Sequence, residues 1–157
     1  MNTRHILVLA LLLASGGQAA AAQEAVAAPA VQEAEGTIIL DAAGVTLAEF
    51  LWLKRPVLVF ADSPNDPNYI RQMDLIARDS GELALRDVVV ITDTDPAGKS
   101  AFRERFHPRG FSLVMMDKDG ITTLRKPLPW DVREITRAID KFPLARQEML
   151  DRYPSGR

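Results

Sequence analysis

Cysteine is absent from all 157 residues. That absence closes thiol–disulfide exchange, thiolate nucleophiles, and haem or iron–sulfur centres ligated by cysteine. It also leaves the fold without disulfides, so its stability must come from a packed core. Histidine is nearly absent: only His5 and His107 occur, too few for a zinc site built on several imidazoles. No apolar run reaches the roughly 20 residues that a membrane-spanning helix needs. Neither sign of charge dominates, with 19 Lys and Arg against 21 Asp and Glu. A general nucleic-acid binder would carry a basic excess. What is present in quantity is apolar: 47% of the residues are hydrophobic, enough for the core of one domain of this length.

The chain opens with Arg4 and His5, an apolar run from Ile6 to Ala14, then Ser15, Gly16, Gly17 and a stretch of alanines. A basic start, a short apolar core and small residues form the layout of a secretory signal. Cleavage is expected after Ala22, which makes residues 1–22 a signal peptide and places the protein in the periplasm without stable membrane insertion. Residues 23–36, rich in Ala, Glu and Gln, read as a flexible leader. An ordered domain is expected over residues 37–150, with a frayed tail over 151–157.

Within the domain, Thr37–Leu40 is β-prone, and Leu47, Phe50, Leu51 and Trp52 have helical spacing behind a Thr46 cap, which puts Trp52 in the core. Three continuous apolar runs, 57–61, 88–91 and 111–116, read as strands covered on both faces. A helix after Asn68 would bury Ile70, Met73, Ala77 and Ser80, with Gly81 as its terminator. A short helix over 99–106 carries Phe102 and Phe106. Asp117-Lys118-Asp119-Gly120 is a hairpin turn into a strand over 121–125 that lies near an edge. The last helix, from about Asp131 to Phe142, buries Val132, Ile135, Ile139 and Phe142. The order β-α-β-α-β-β-α implies parallel strands with crossover helices plus an antiparallel pair. The expected fold is therefore α/β: a thioredoxin-like three-layer sandwich, with a mixed central sheet of about four strands, a C-terminal β-hairpin and flanking helices.

The chain resembles the bacterial family called domain of unknown function 4174 over roughly residues 40–150. The matching pieces are Trp52-Leu-Lys-Arg55 leading into Leu58–Ala61, Arg86-Asp87 before Val88–Ile91, and Gly110-Phe111. Further pieces are Lys118-Asp119-Gly120 with Leu124-Arg125, and Ile139-Asp140-Lys141-Phe142-Pro143 running on to Glu148-Met149. The resemblance implies a thioredoxin fold and export, and supplies no catalytic residues. In thioredoxins the redox cysteines lie between the first core strand and its helix, where this chain has Ser63-Pro-Asn-Asp-Pro67. The cis-proline that precedes the hairpin strand has Phe111 in its place.

Three groups of residues invite functional readings. The loop with Asp62, Ser63, Asn65 and Asp66 precedes a helix N-terminus, which favours anions, and Ser63 could be a nucleophile if His107 reached it; the simpler alternative is that Asp66 or Asn68 caps the helix. Asp93, Asp95, Gly98 and Glu104 fall at positions one, three, six and twelve of a calcium loop, with Ala97 at the fifth ligand position; the alternative is an Asp/Pro/Gly turn. Gly98-Lys99-Ser100 ends like a phosphate-binding loop, but Asp93 stands where the first glycine belongs. Trp130, with Lys118 and Arg125 near the hairpin, could form a partner surface. No cofactor is expected. The reading that fits these observations is a non-catalytic binding module of the bacterial envelope, with an envelope protein as the expected kind of partner; the alternatives are a cysteine-independent enzyme using loop carboxylates or Ser, and a weak calcium binder.

Overall fold

The structure, a computed structural model, describes residues 32–34 and 36–153. The expected signal peptide, all but a few residues of the leader and the last residues of the tail lie outside them. Six strands form one sheet: β1 (Gln32–Ala34), β2 (Thr37–Asp41), β3 (Arg55–Phe60), β4 (Val88–Asp93), β5 (Ser112–Met116) and β6 (Thr122–Lys126). Their order across the sheet is β1-β2-β4-β3-β5-β6. β2, β4 and β3 run parallel; on one side β5 pairs antiparallel with β3 and β6 antiparallel with β5, and on the other β1 pairs antiparallel with β2. β3, β4, β5 and β6 are the strands of the expected four-stranded sheet, and β6 lies at its edge. The β-prone segment at Thr37 adds β2, and β1 is drawn from the segment read as leader.

The apolar runs are buried on both faces because layers cover both. Val57, Val59, Val90, Leu113 and Met115 face α1 (Pro67–Arg78), α2 (Ser80–Ala84) and α4 (Val132–Ile139), whose Ile76, Leu83, Ile135 and Ile139 complete that half of the core. Their alternates Leu58, Phe60, Val89, Ile91, Val114 and Met116 face Phe102 of α3 (Ala101–Phe106) and Phe50. Alternation of side chains along a strand makes this division automatic. A fifth helix, α5 (Pro143–Arg152), follows; Pro143 opens it at a position where its missing N–H costs nothing.

Three local expectations are corrected. The 46–53 segment is a single 3-10 turn, Leu47–Glu49, in which the Glu49 carboxylate accepts from the Thr46 N–H (2.7 Å) and hydroxyl (2.8 Å). The chain then bends, and Trp52 takes a left-handed φ of 64° with its N–H donating to Lys118 O at 2.7 Å. Trp52 is consequently 67% exposed and Phe50 takes the core position. In α1 the buried face is Gln72 and Ile76, while Ile70 and Ala77 are exposed. Gly81 lies inside α2; α1 has already ended at Asp79. The hairpin turn is as expected: Gly120 has φ +76° and its N–H donates to Asp117 O, and a Cβ there would meet Leu51 Cδ2 at 2.7 Å.

Candidate functional site

The carboxyl ends of the parallel strands carry the loops 61–66, 93–100 and 107–111, the place where open α/β sheets hold ligands. Arg103 organises them. Its Nε and Nη2 donate to Asp93 Oδ1 at 3.0 and 2.8 Å, Nη2 also donates to Ala61 O at 2.7 Å, and Nη1 reaches Asp62 Oδ1 at 3.3 Å. Ser100 Oγ donates to Asp93 Oδ2 at 2.5 Å and accepts from Arg103 N–H, so it caps α3 as well. Asp62 Oδ2 accepts the Gly110 N–H at 3.0 Å. A buried arginine is tolerated here because a buried carboxylate and two carbonyls meet its donors.

The sequence-derived loop residues are brought together at this end, but as structural caps. Asp66 is the N-cap of α1 and accepts from Asn68 and Tyr69 N–H. Ser63 Oγ accepts from Asn65 N–H at 3.1 Å; among the described residues no hydrogen bond joins it to His107. Asp66 thus supplies the negative charge that an anion would have brought to the helix N-terminus. In the second group, Asp93 is ion-paired to Arg103, Asp95 accepts from Ala97 N–H, and Glu104 lies exposed in the first turn of α3. Among the described residues no group of three His, Asp or Glu is placed to hold a metal ion. Tyr69 stands beside this end, and burial raises its phenol above the ordinary value, the Asp41 charge adding to that and a hydrogen bond with Thr92 opposing it.

The third group is divided between the two ends of the sheet. Trp130 is half-buried near the start of α4: its N–H and C=O are both clamped by Gln72 at 2.9 Å, and Lys126 Nζ lies 4.4 Å from the ring centroid. Arg125 donates to Ser112 Oγ and Phe106 O. Lys118 is at the opposite end, largely buried, with Nζ 2.8 Å from Asp87 Oδ2 and 2.9 Å from Glu148 Oε1.

That opposite end holds a second ion-pair cluster. Arg55, 2% exposed, donates to Asp117 Oδ1 (3.0 Å) and Arg86 O (3.0 Å). Its Nη2 lies 3.0 Å from Glu148 Oε2, close enough for an ion pair though not aligned as a hydrogen bond. Asp117 also accepts from Leu144 N–H, which ties α5 to the hairpin. Burial pushes the Asp87 and Glu148 carboxyls up, but Lys118, helped by Lys54 and Arg152 at Asp87 and by Arg55 at Glu148, outweighs it and holds both below their ordinary values. Asp140, bonded through both oxygens to Arg86, raises that guanidinium further.

A family model described as Domain of unknown function (DUF4174) matches residues 46–148. The chain belongs to the DUF4174 family. No curated protein matches it. Among solved structures it is similar to a 2-Cys peroxiredoxin of Plasmodium vivax, with 16% identity, a TM-score of 0.52, and coverage of 67% of this chain and 85% of that one. It is also similar to thioredoxin peroxidase I of Plasmodium yoelii (14% identity, TM-score 0.46, covering 72% and 83%) and to the exposed lipoprotein thioredoxin of Streptococcus pneumoniae (20%, 0.45, 61% and 90%). At such identities the likeness is one of fold: the DUF4174 chain has the thioredoxin-like α/β architecture. Of the charged residues in the DUF4174-like pieces of its sequence, Lys54, Arg55, Arg86, Asp87, Lys118, Asp140 and Glu148 form ion pairs at this end, while Asp119, Arg125 and Lys141 lie outside those pairs.

Sequence reasoning did not single out Arg55, Asp117 or Arg103. For Arg103 a signal was available: on the short helix it shares a side with Phe102 and Phe106, and an arginine on an apolar face implies a buried acidic partner.

Proposed function

We propose that this DUF4174 chain is an exported, non-catalytic binding module of the bacterial cell envelope. The observation that carries the non-catalytic half is the Arg103–Asp93–Asp62 arrangement at the carboxyl end of the sheet. Catalysis by acid–base or nucleophilic chemistry needs groups free to exchange protons or bonds with substrate. Here Asp62, Asp66, Asp93 and Ser100 each hold a backbone N–H or the Arg103 guanidinium, and the chain has no cysteine. The export half is supported by the signal-like layout of residues 1–22, and it is compatible with the described residues, in which no helix is long and apolar enough to cross a membrane.

The test is native mass spectrometry on protein recovered gently from the envelope fraction of its host. A chain beginning at Gln23 with a non-covalent added mass is the expected result. A full-length chain found only in the cytosolic fraction would overturn export, and a bare envelope chain would overturn the binding role.

A further inference from the structure

Among the described residues several basic side chains are without a carboxylate partner, and three of the basic residues, at one end of β6, share a cleft. Arg55, Arg86, Arg103, Lys54 and Lys118 each meet a carboxylate. Arg109 and His107 make no side-chain hydrogen bond or ion pair among the described residues, and both are exposed. Arg125 is anchored only by neutral acceptors, Ser112 Oγ at 2.9 Å and Phe106 O at 3.0 Å, so its position is fixed while its charge is left uncompensated. These three line one cleft of ≈ 290 Å³ with Phe111, Ser112 and Pro127. The nearby acid that could neutralise them, Asp62, spends one oxygen on Arg103 and the other on the Gly110 N–H. A protein of net charge −2 therefore carries a small cleft with a positive excess at the end of its sheet where open α/β folds hold ligands.

We infer that this cleft binds a phosphate monoester, with Arg109 and Arg125 on the phosphate oxygens. Two guanidinium charges balance the phosphate dianion; Arg109 offers its whole planar donor set, and Arg125 the donors that its Ser112 and Phe106 bonds leave. The His107 imidazole and the Ser112 hydroxyl add further hydrogen-bonding groups. Phe111 and Pro127 supply an apolar wall for the organic group of the ester, and the volume suits a small one. The inference rests on the reading of the chain as a binding module, and it names the ligand class of that role.

The experiment is a calorimetric titration of the chain with phenyl phosphate, alongside Arg109→Glu, Arg125→Gln and Arg146→Glu. Arg146, exposed on α5, controls for the change of charge alone. One site is expected, weakened about tenfold or more by either cleft substitution and by less than about twofold in the control. Arg109 has no internal bond, so its variant stays informative should Arg125→Gln melt early. Equal weakening by all three variants would reduce the effect to overall charge and overturn the site. Phosphatidic acid vesicles, compared with phosphatidylcholine, separate two sources of the phosphate: Arg109-dependent sedimentation with the former, without phenyl phosphate binding, assigns it to a lipid headgroup. Binding to neither probe at concentrations on the order of 10 mM overturns the inference and leaves the non-catalytic reading intact. Arg109-dependent release of inorganic phosphate from phenyl phosphate would keep the site and overturn that reading instead.

Discussion

Arg55 sits at the mouth of β3 with a full charge and 2% exposure, a placement affordable only because Asp117, Glu148 and the Arg86 carbonyl surround it. Removing one partner of such a pair strands the other in low dielectric, which costs about 3–5 kcal/mol. Arg55→Met should lower the unfolding free energy by about that amount in urea titrations, and a loss under about 1 kcal/mol would show that Asp117 and Glu148 are solvated without it. None of this was legible in the sequence. Arg55 and Asp117 are 62 positions apart, and a lone Arg before an apolar run reads as a solvated flank. Trp52 misled for a related reason. Its helical spacing from Phe50 and Leu51 is real, but the bend at φ 64° turns it outward, and a single left-handed residue leaves no mark on a pattern of apolar positions.

At the level of elements, the central strands were legible because both faces of the sheet are covered, which turns each strand into an uninterrupted apolar run. α4 was legible because Val132, Ile135 and Ile139 keep helical spacing and Asp131 caps it through the Glu134 N–H. α1 was placed correctly but its inward face was misassigned, because a polar residue occupies that face. Gln72 is fully buried and satisfies both backbone groups of Trp130. Gln72→Leu would keep the volume and strand those groups, at a cost of about 1–3 kcal/mol. The measurement is the urea midpoint together with amide exchange at Trp130, which should accelerate in the variant. Unchanged exchange would mean that the clamp is not what orders the segment leading into α4.

Across the whole molecule, one ion-pair cluster closes each end of the sheet, and Arg109 and Arg125, neither paired to a carboxylate, line one cleft. The loops that bear the candidate site were legible, since turn residues after apolar strands mark them. Their roles were not, because an Asp that caps a helix and an Asp that binds a ligand look alike in sequence. The end cluster also sets a pH response. Asp87 and Glu148 are held below their ordinary values of 3.8 and 4.5, so their contribution is complete above that range and is lost as pH falls through the lowered folded-state values. Thermal melts should be flat from neutrality into the mildly acidic range and then fall below about pH 4. Lys118→Met should lower the plateau and make the fall shallower; an unchanged acid limb would detach these carboxylates from the response.

The polar residues described at the carboxyl end of the sheet hold the fold together, and the proposed non-catalytic role depends on that. Residues kept for chemistry are commonly neutral or stabilising to replace, whereas residues kept for structure are not. The most direct test is the unfolding free energy of Asp93→Asn against the unsubstituted chain. A loss of about 3–5 kcal/mol is expected, because Arg103 would lose its buried counter-charge and keep only the exposed Asp62 carboxylate. A variant as stable as the parent, or more so, would contradict the claim and return Asp93 to the list of groups held ready for a substrate.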